Sequence, residues 1–532
     1  MTAASFDHAL TGPASLRRQL WLWIAVSATV WAVVGWLANG NLDGYFDMLE
    51  NYAWSQSFQW GTHKHPPFFS WTTGLWFSLF PTGDASYRVL SYVNVAVGLA
   101  GVAYLARRLQ LQRFAPVAVL LLLWSFPYTT LAGKFNANAQ LLSLWPWTAA
   151  FLLASFQEVR WRGALASVLL GVLAAACMLT KYVSGVFLAG FLLPTLLTPQ
   201  GRQWLRTPRP YLALLAFAAT LAPHVAWVAK HGWITLSYAT DQGDGRVEWK
   251  HIVRFLVSPV LYWLPGWLAV TGVYAWLGQG GGWLGRWRRA MATSWRSQGW
   301  GDTLFWLALS TWLGMLLFGL SSVVTLSIPW AIPIGFAFSL LWLRNLDAAD
   351  PAATARALLR LARAFWPALA LVVALGFVQM RREAADQDSD YYRPNEAAGQ
   401  AVVAHWRRTH PDVPLRWVGG DWAQNALVAF YGDPSVRTLP GLPDSPEAKM
   451  YDYPDWARQG GLLFCGRGPV DADGKAPAPA AECEDAAAAW LARQGQAGGP
   501  VLLKVRKPMD WRFPHPQPYV YAIFEYLPAQ AR

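Results

Sequence analysis

The chain has 532 residues, 54% of them hydrophobic and only 14% charged, with 34 Trp and a formal net charge of +12. Soluble domains carry roughly 25% charged residues. Together with a mean hydropathy of +0.22, these values exclude a disordered chain, a coiled coil and an ordinary soluble enzyme, and indicate a membrane protein with a sizeable polar part.

A helix needs about 20 apolar residues to cross the hydrocarbon. The first such run, 19–38, follows Arg17 and Arg18; it is too long for a removable signal peptide and lacks a small-residue cleavage site. Further runs fall at 88–106, 114–133, 139–157, 163–180, 183–199, 211–229, 252–277, 303–320, 325–343 and 365–380, making eleven candidate spans. With segment 1–18 inside, the inner loops collect Arg107, Arg108, Arg113, Arg160, Arg162, Arg202, Arg206 and Arg209, then Arg286–Arg296 and Arg344–Arg363. The acidic residues Asp43, Asp47, Glu50, Asp84, Asp241, Asp244 and Glu248 fall outside. The positive-inside rule then sets the topology, and the basic excess is a topology signal with no nucleic-acid partner implied.

The expected fold is an all-α polytopic membrane domain over 19–380, followed by a C-terminal extracytoplasmic α/β domain over 381–532. In that domain WVGGD, GLLFC, VLLKV and YVYAIFEYLP read as strands, and 396–408 and 484–494 as helices. Three Cys cannot form a zinc cluster or a disulfide framework. Cys465 and Cys483 both lie in the outer domain, where an oxidising compartment permits a disulfide. Cys177 reads as a packed residue within a span.

Ionisable residues at membrane depth or on outer loops carry the functional information. The first outer loop, 39–67, holds Asp43, Asp47 and Glu50 at i, i+4 and i+7, one face of a helix. Tyr45, Met48 and Tyr52 lie opposite, so the segment reads as an amphipathic helix along the surface with Glu50 facing solvent. Asp43 is placed to take a proton from an attacking hydroxyl, or to cap the helix; Asp47 is the second choice of base. His63-Lys64-His65 concentrates donors just before Pro66-Pro67, a rigid helix start suited to holding a phosphate. Lys134, Lys181, His224 and Arg246 are the further basic residues expected at such a phosphate site. Tyr45, His63, Asn136 and Tyr182 are the expected substrate contacts. His63, His65, His224 and an Asp offer donors for a divalent metal, but no paired-His motif supports one.

The segments D-G-Y-F-D (43–47), W-S-Q-S-F and K-H-P-P-F-F-S-W resemble the first outer loop of family 39 glycosyltransferases and their bacterial relatives, which include protein O-mannosyltransferases and lipid A aminoarabinose and galacturonic acid transferases. G-K-F-N-A-N-A-Q-L-L-S-L-W-P-W (133–147), L-T-K-Y-V-S-G-V (179–186) and A-P-H-V-A-W (222–227) are similar to the bacterial members. The resemblance implies the C-type glycosyltransferase membrane fold. It further implies an enzyme that moves a sugar from a polyprenyl-phosphate donor to a lipid or glycan acceptor on the periplasmic face of a bacterial inner membrane. A protein acceptor is the alternative. It assigns the reaction centre to Asp43 and the donor phosphate to Lys64. Where aminoarabinose transferases have Glu-Lys before the Pro pair, this chain has Lys64-His65, which weakens transfer of both that sugar and a Glu-held metal. A transporter is disfavoured because the mid-span regions are nearly free of charge and the two halves are unlike. A non-catalytic scaffold would tolerate loss of Asp43.

Overall fold

A computed structural model describes residues 13–240, 245–386, 390–451, 453–471, 473–496 and 498–529. Segment 1–12, Asp241 and Asp244 lie outside these residues, as do the side chains of Arg17 and Arg18. Among the described residues, eight helices are long and apolar enough to cross a membrane: Gln19–Ala38, Asp84–Arg108, Ala137–Gln157, Arg160–Thr180, Arg209–Lys230, Trp249–Leu277, Thr303–Leu320 and Pro351–Ala385. Each contains one of the apolar runs read from the sequence.

The other three runs behave differently. Run 114–133 bends by 85° between Gln112–Leu123 and Phe126–Gly133, with Pro127 at the start of the second arm. Run 183–199 breaks into Ser184–Gly190 and Leu192–Leu197, with Pro194 in the second piece. Run 325–343 holds two short 3₁₀ turns around Pro329 and Pro333 before helix Phe338–Ala349. Proline removes a backbone donor and clashes with the preceding turn. Composition therefore meets the hydropathy threshold where the backbone cannot continue as one helix.

The chain divides into two compact units. The first comprises Met1–Trp31, Lys64–Pro66 and Ser91–Val372. Its most enclosed span is Ala137–Gln157, 83% buried. Asn94, Gln140 and Ser143 join it to helix Asp84–Arg108: Gln140 Nε2 and Ser143 Oγ donate to Asn94 Oδ1 at 3.0 and 2.5 Å, and Asn94 Nδ2 donates to the Ala139 carbonyl at 2.7 Å. Polar side chains in this role hold helices together where lipid supplies no hydrophobic drive. Gly171 lets the backbones of Arg160–Thr180 and Arg209–Lys230 touch; a Cβ there would sit 2.1 Å from the Ala213 carbonyl oxygen.

The second unit comprises Ala32–His63, Pro67–Leu90 and Val373–Arg532. It contains a five-stranded mixed sheet of order β2-β1-β3-β5-β4. The strands are β1 Leu415–Gly420, β2 Arg437–Thr438, β3 Gly460–Pro469, β4 Val501–Val505 and β5 Tyr519–Tyr526. β1 runs parallel to β2 and β3, and β5 antiparallel to β3 and β4. The four sequence-predicted strands and both helices, now Asn395–Thr409 and Ala481–Arg493, are present; the two-residue β2 carried no sequence signal. Cys465 on β3 and Cys483 on the helix form a disulfide. Trp417, Trp490 and Tyr526 pack into the core beside it.

Within this unit the helix of segment 39–63 is enclosed. The helix is Asp47–Ser55, and Met48 to Trp54 are all buried. Glu50 is only 8% exposed and accepts a hydrogen bond from Trp422 Nε1. Tyr52 meets Phe430 edge-on at 4.8 Å. The expected surface-lying amphipathic helix with a solvated acidic face is thus corrected. Residues of 422–451 pack on it, and the Glu50 carboxylate accepts from an indole N–H.

Candidate functional site

The first unit contains a cavity of about 850 Å³. Its wall is largely apolar, with Leu236, Val324, Leu326 and Ile328, and it is also lined by three cations, Lys64, Lys181 and Arg254, and two imidazoles, His65 and His251. Lys64 and His65 enter directly before Pro66, whose fixed backbone opens the path to helix Phe68–Leu79. His65 sits edge-on to Tyr238, 6.0 Å between ring centres.

Lys181 is the C-cap of helix Arg160–Thr180, in an extended conformation that turns its side chain off the helix. Its ammonium donates to Asn138 Oδ1 at 2.7 Å and faces the Trp330 ring at 5.2 Å. Asn138 is held in turn: Asn136 caps helix Ala137–Gln157, its Oδ1 accepting from the backbone of Asn138 and Ala139 at 3.0 and 3.2 Å. The expected substrate contact Asn136 therefore spends its acceptor on the helix end. Tyr182 lines the cavity, and behind it His224, 2% exposed, places Nε2 2.8 Å from the Tyr182 hydroxyl. Lys134 and Arg246 are not among the cavity-lining residues, and Arg246 is exposed.

His251 and Arg254 were missed in the sequence. They lie one turn apart at the start of helix Trp249–Leu277, where an Arg near a span end reads as an anchor. The i, i+3 spacing that puts both on one face was the available signal.

In the second unit, the Asp43 carboxylate gathers three backbone donors at the start of helix Asp47–Ser55. Oδ1 accepts from Tyr45 and Asp47 at 3.1 and 3.0 Å, and Oδ2 from Met48 at 2.9 Å. Asp43 thus accepts from backbone N–H groups at the start of the helix, while the N-cap position itself is Phe46, which makes no side-chain cap bond. Phe46, between them, has φ 60° and ψ 16°, the left-handed region that a bulky residue rarely enters. Such local strain collects at functional loops. Asp47 is half-buried at the helix start, and Tyr45 is 85% exposed. His63 places Nδ1 3.0 Å from the Tyr451 hydroxyl and packs against Trp54 and Trp422. The His63-Lys64-His65 run is thus divided between the two units after His63. Among the described residues no group of three or more His, Cys, Asp or Glu side chains is arranged to hold a metal ion.

The carbonyls leaving the first span are gripped by cations of the same unit. Arg512 donates to Trp36 and Asn39 at 2.7 and 3.2 Å, Arg88 to Asn41 and Leu42 at 2.9 and 2.6 Å, and Lys507 to Gly40. A helix C-terminus leaves carbonyls unpaired and carries partial negative charge, so cations are stabilising there. Lys507 is 7% exposed, and this burial lowers its ammonium to about 7.

The many apolar helices, the small α/β region and the structural similarity below make this a multi-pass membrane protein of the C-type glycosyltransferase fold, with a largely apolar cavity that three cations also line. The fold is similar to that of ArnT from Cupriavidus metallidurans solved with undecaprenyl phosphate: TM-score 0.54, 13% identity, covering 94% of this chain and 97% of the other. The apo form of the same protein aligns over the same shares at TM-score 0.47 and 16% identity. The Archaeoglobus fulgidus oligosaccharyltransferase aligns at 0.41 and 11%, over 79% and 62% of the two chains. These two lower scores carry no weight. Residues 64–227 match the family model for dolichyl-phosphate-mannose-protein mannosyltransferases. No curated protein matches the chain closely enough to count as a relative.

Proposed function

We propose that the chain is a glycosyltransferase of the bacterial inner membrane, moving a sugar from a polyprenyl-phosphate donor to a lipid or glycan acceptor on the periplasmic face. The observation that carries this reading is the cavity, whose three cations and two imidazoles adjoin an apolar wall. An amphiphile with an anionic head and an apolar tail matches both parts. Lys64, Lys181 and Arg254 stabilise the phosphate as it departs, since developing charge needs preorganised donors. Tyr182, oriented by His224, positions the sugar or the phosphate. Asp43 is the proposed general base, on the sequence resemblance of its loop. Undecaprenyl phosphate bound to the similar ArnT fold supports the donor class. The Cys465–Cys483 disulfide supports an oxidising compartment for the C-terminal region.

A protein acceptor is the second reading, favoured by the description of the family model that matches residues 64–227. Purified protein in lipid nanodiscs, given labelled polyprenyl-phosphate sugars with glycolipid, glycan or peptide acceptors, tests both. Transfer strongly reduced at limiting donor in Lys181→Ala and Arg254→Ala is the expected result, and the acceptor that takes label decides between the readings. No transfer to any acceptor, and no retention of polyprenyl phosphate, sinks the proposal.

A further inference from the structure

The loop after β4, residues 506–517, carries two large exposed apolar side chains, Met509 at 77% and Trp511 at 60%. Single exposed apolar residues are ordinary. These two differ in where the neighbouring residues are fixed. Arg512 donates to the Trp36 carbonyl and its guanidinium lies over the Trp36 ring at 4.4 Å. Trp36 is on the last turn of the first span, which ends at Ala38. Phe513 packs with Met380, Ala384, Tyr391 and Tyr392, and the Tyr391 hydroxyl donates to the Arg512 carbonyl at 3.1 Å. Met380 closes the apolar run of the last span, directly before Arg381 and Arg382. The two helix ends also touch each other, since a Cβ at Gly376 would lie 2.7 Å from Val34 Cγ1. The loop is therefore pinned where two spanning helices pass from apolar to polar sequence. That level is the bilayer interface, where Trp is enriched because its ring is apolar and its N–H polar.

The strand that leads into this loop is β4. Leu502, Lys504 and Arg506 alternate along β4 and its extension, and all three are exposed. Among the described residues β4 lies at the end of the sheet, paired with β5. Cations at this level meet lipid phosphates. The one acid of the loop, Asp510, has its Oδ1 occupied by the backbone of Arg512 and Phe513 at 2.7 and 2.8 Å.

We propose that Met509 and Trp511 insert into the interfacial layer of the protein's own membrane, with Lys504 and Arg506 on anionic headgroups, so that this loop is a second attachment of the C-terminal region to the bilayer. The occupant is lipid, because the loop is fixed at the level of two span ends.

The test uses the full chain in nanodiscs of mixed neutral and anionic phospholipid, with a spin label at Trp511→Cys. Cys177 is buried and Cys465 and Cys483 are bonded to each other, so labelling is confined to the introduced thiol. The ratio of collisions with oxygen to those with a water-soluble nickel chelate reads depth. Lys475→Cys, exposed on the C-terminal region, sets the aqueous value, and Leu214→Cys, 62% exposed on a span, sets the lipid value. The expected ratio at 511 lies between them, with the nickel contact clearly reduced relative to 475. A ratio equal to that at 475 overturns the proposal. Protection from both reagents, with spin–spin broadening that vanishes on dilution with unlabelled protein, also overturns it by showing a second copy on the loop. Should Trp511→Cys misfold, Met509→Cys carries the same measurement, because Met509 is the more exposed of the two.

Discussion

The Lys181 ammonium donates to Asn138 Oδ1 at 2.7 Å, joining the turn after one span to the first turn of another. The neutral amide fixes the position of the ammonium at the cavity wall and adds no opposing charge. A hydrogen bond to a charged group contributes about 1.5–3 kcal/mol.

Lys181→Ala should therefore raise the KM for a polyprenyl-phosphate sugar by about 10- to 100-fold. Asn138→Ala should raise it less, since the charge remains. In the double variant the Asn138 effect should disappear, because an amide that acts only by orienting Lys181 has nothing left to orient. Steady-state kinetics of the four proteins measure this; full additivity would remove Asn138 from the site.

Asp43→Asn separates capping from catalysis. The amide keeps one acceptor oxygen but turns a donor toward one of the three backbone N–H groups, so stability should fall by about 1 kcal/mol. Loss of a general base costs about 10²–10⁴-fold in rate. Turnover per folded molecule, with stability read separately by thermal melting, should fall into that range. Turnover that merely tracks the folded fraction would make Asp43 a cap alone.

Glu50→Gln should be mild, because the amide oxygen still accepts from Trp422. Glu50→Ala leaves that indole N–H buried without its acceptor, an expected loss of about 1–3 kcal/mol. Thermal melting of the two variants checks the order. Equal melting temperatures would mean that the indole finds water in the alanine variant.

Lys507 sets a pH dependence. Its ammonium is lowered to about 7 in the fold by burial, against an ordinary value of 10.5. Between these values the unfolded chain holds the proton and the folded chain does not, so stability rises with pH across that window. Below pH 7 both states are protonated and the cost of burying the charge is fully present. The difference in melting temperature between the native protein and Lys507→Met should therefore shift in favour of the native protein from pH 7 to 10. A constant difference would place the ammonium near its ordinary range.

Reducing the Cys465–Cys483 bond should lower the melting temperature of the C-terminal region. The two residues are 18 apart in sequence, and closing a loop of that order contributes roughly 3 kcal/mol. Cys483→Ser with and without reductant should melt alike, while the native protein should lose stability on reduction. A native melting temperature that reductant leaves unchanged would deny the bond a stabilising role.

The eight long spans were legible in the sequence because a helix in lipid must pair its own backbone groups, and an apolar run of sufficient length has no other way to do so. Strands β1, β3, β4 and β5 were legible for a similar local reason, and Lys64, His65, Lys181 and Tyr182 were singled out on their positions at loop and span ends. Tertiary structure decided the rest. His224 meets the cavity-lining Tyr182 from a different helix, Arg209–Lys230, which begins 27 residues after Tyr182 in the chain. His251 and Arg254 join the cavity only because of the face that helix Trp249–Leu277 turns inward. Glu50 is buried because Trp422, 372 residues away in the chain, covers it. Local periodicity records which atoms a segment can pair within itself. Which distant segment covers a given face depends on how the packed helices and the sheet meet, and no spacing along the chain carries that information.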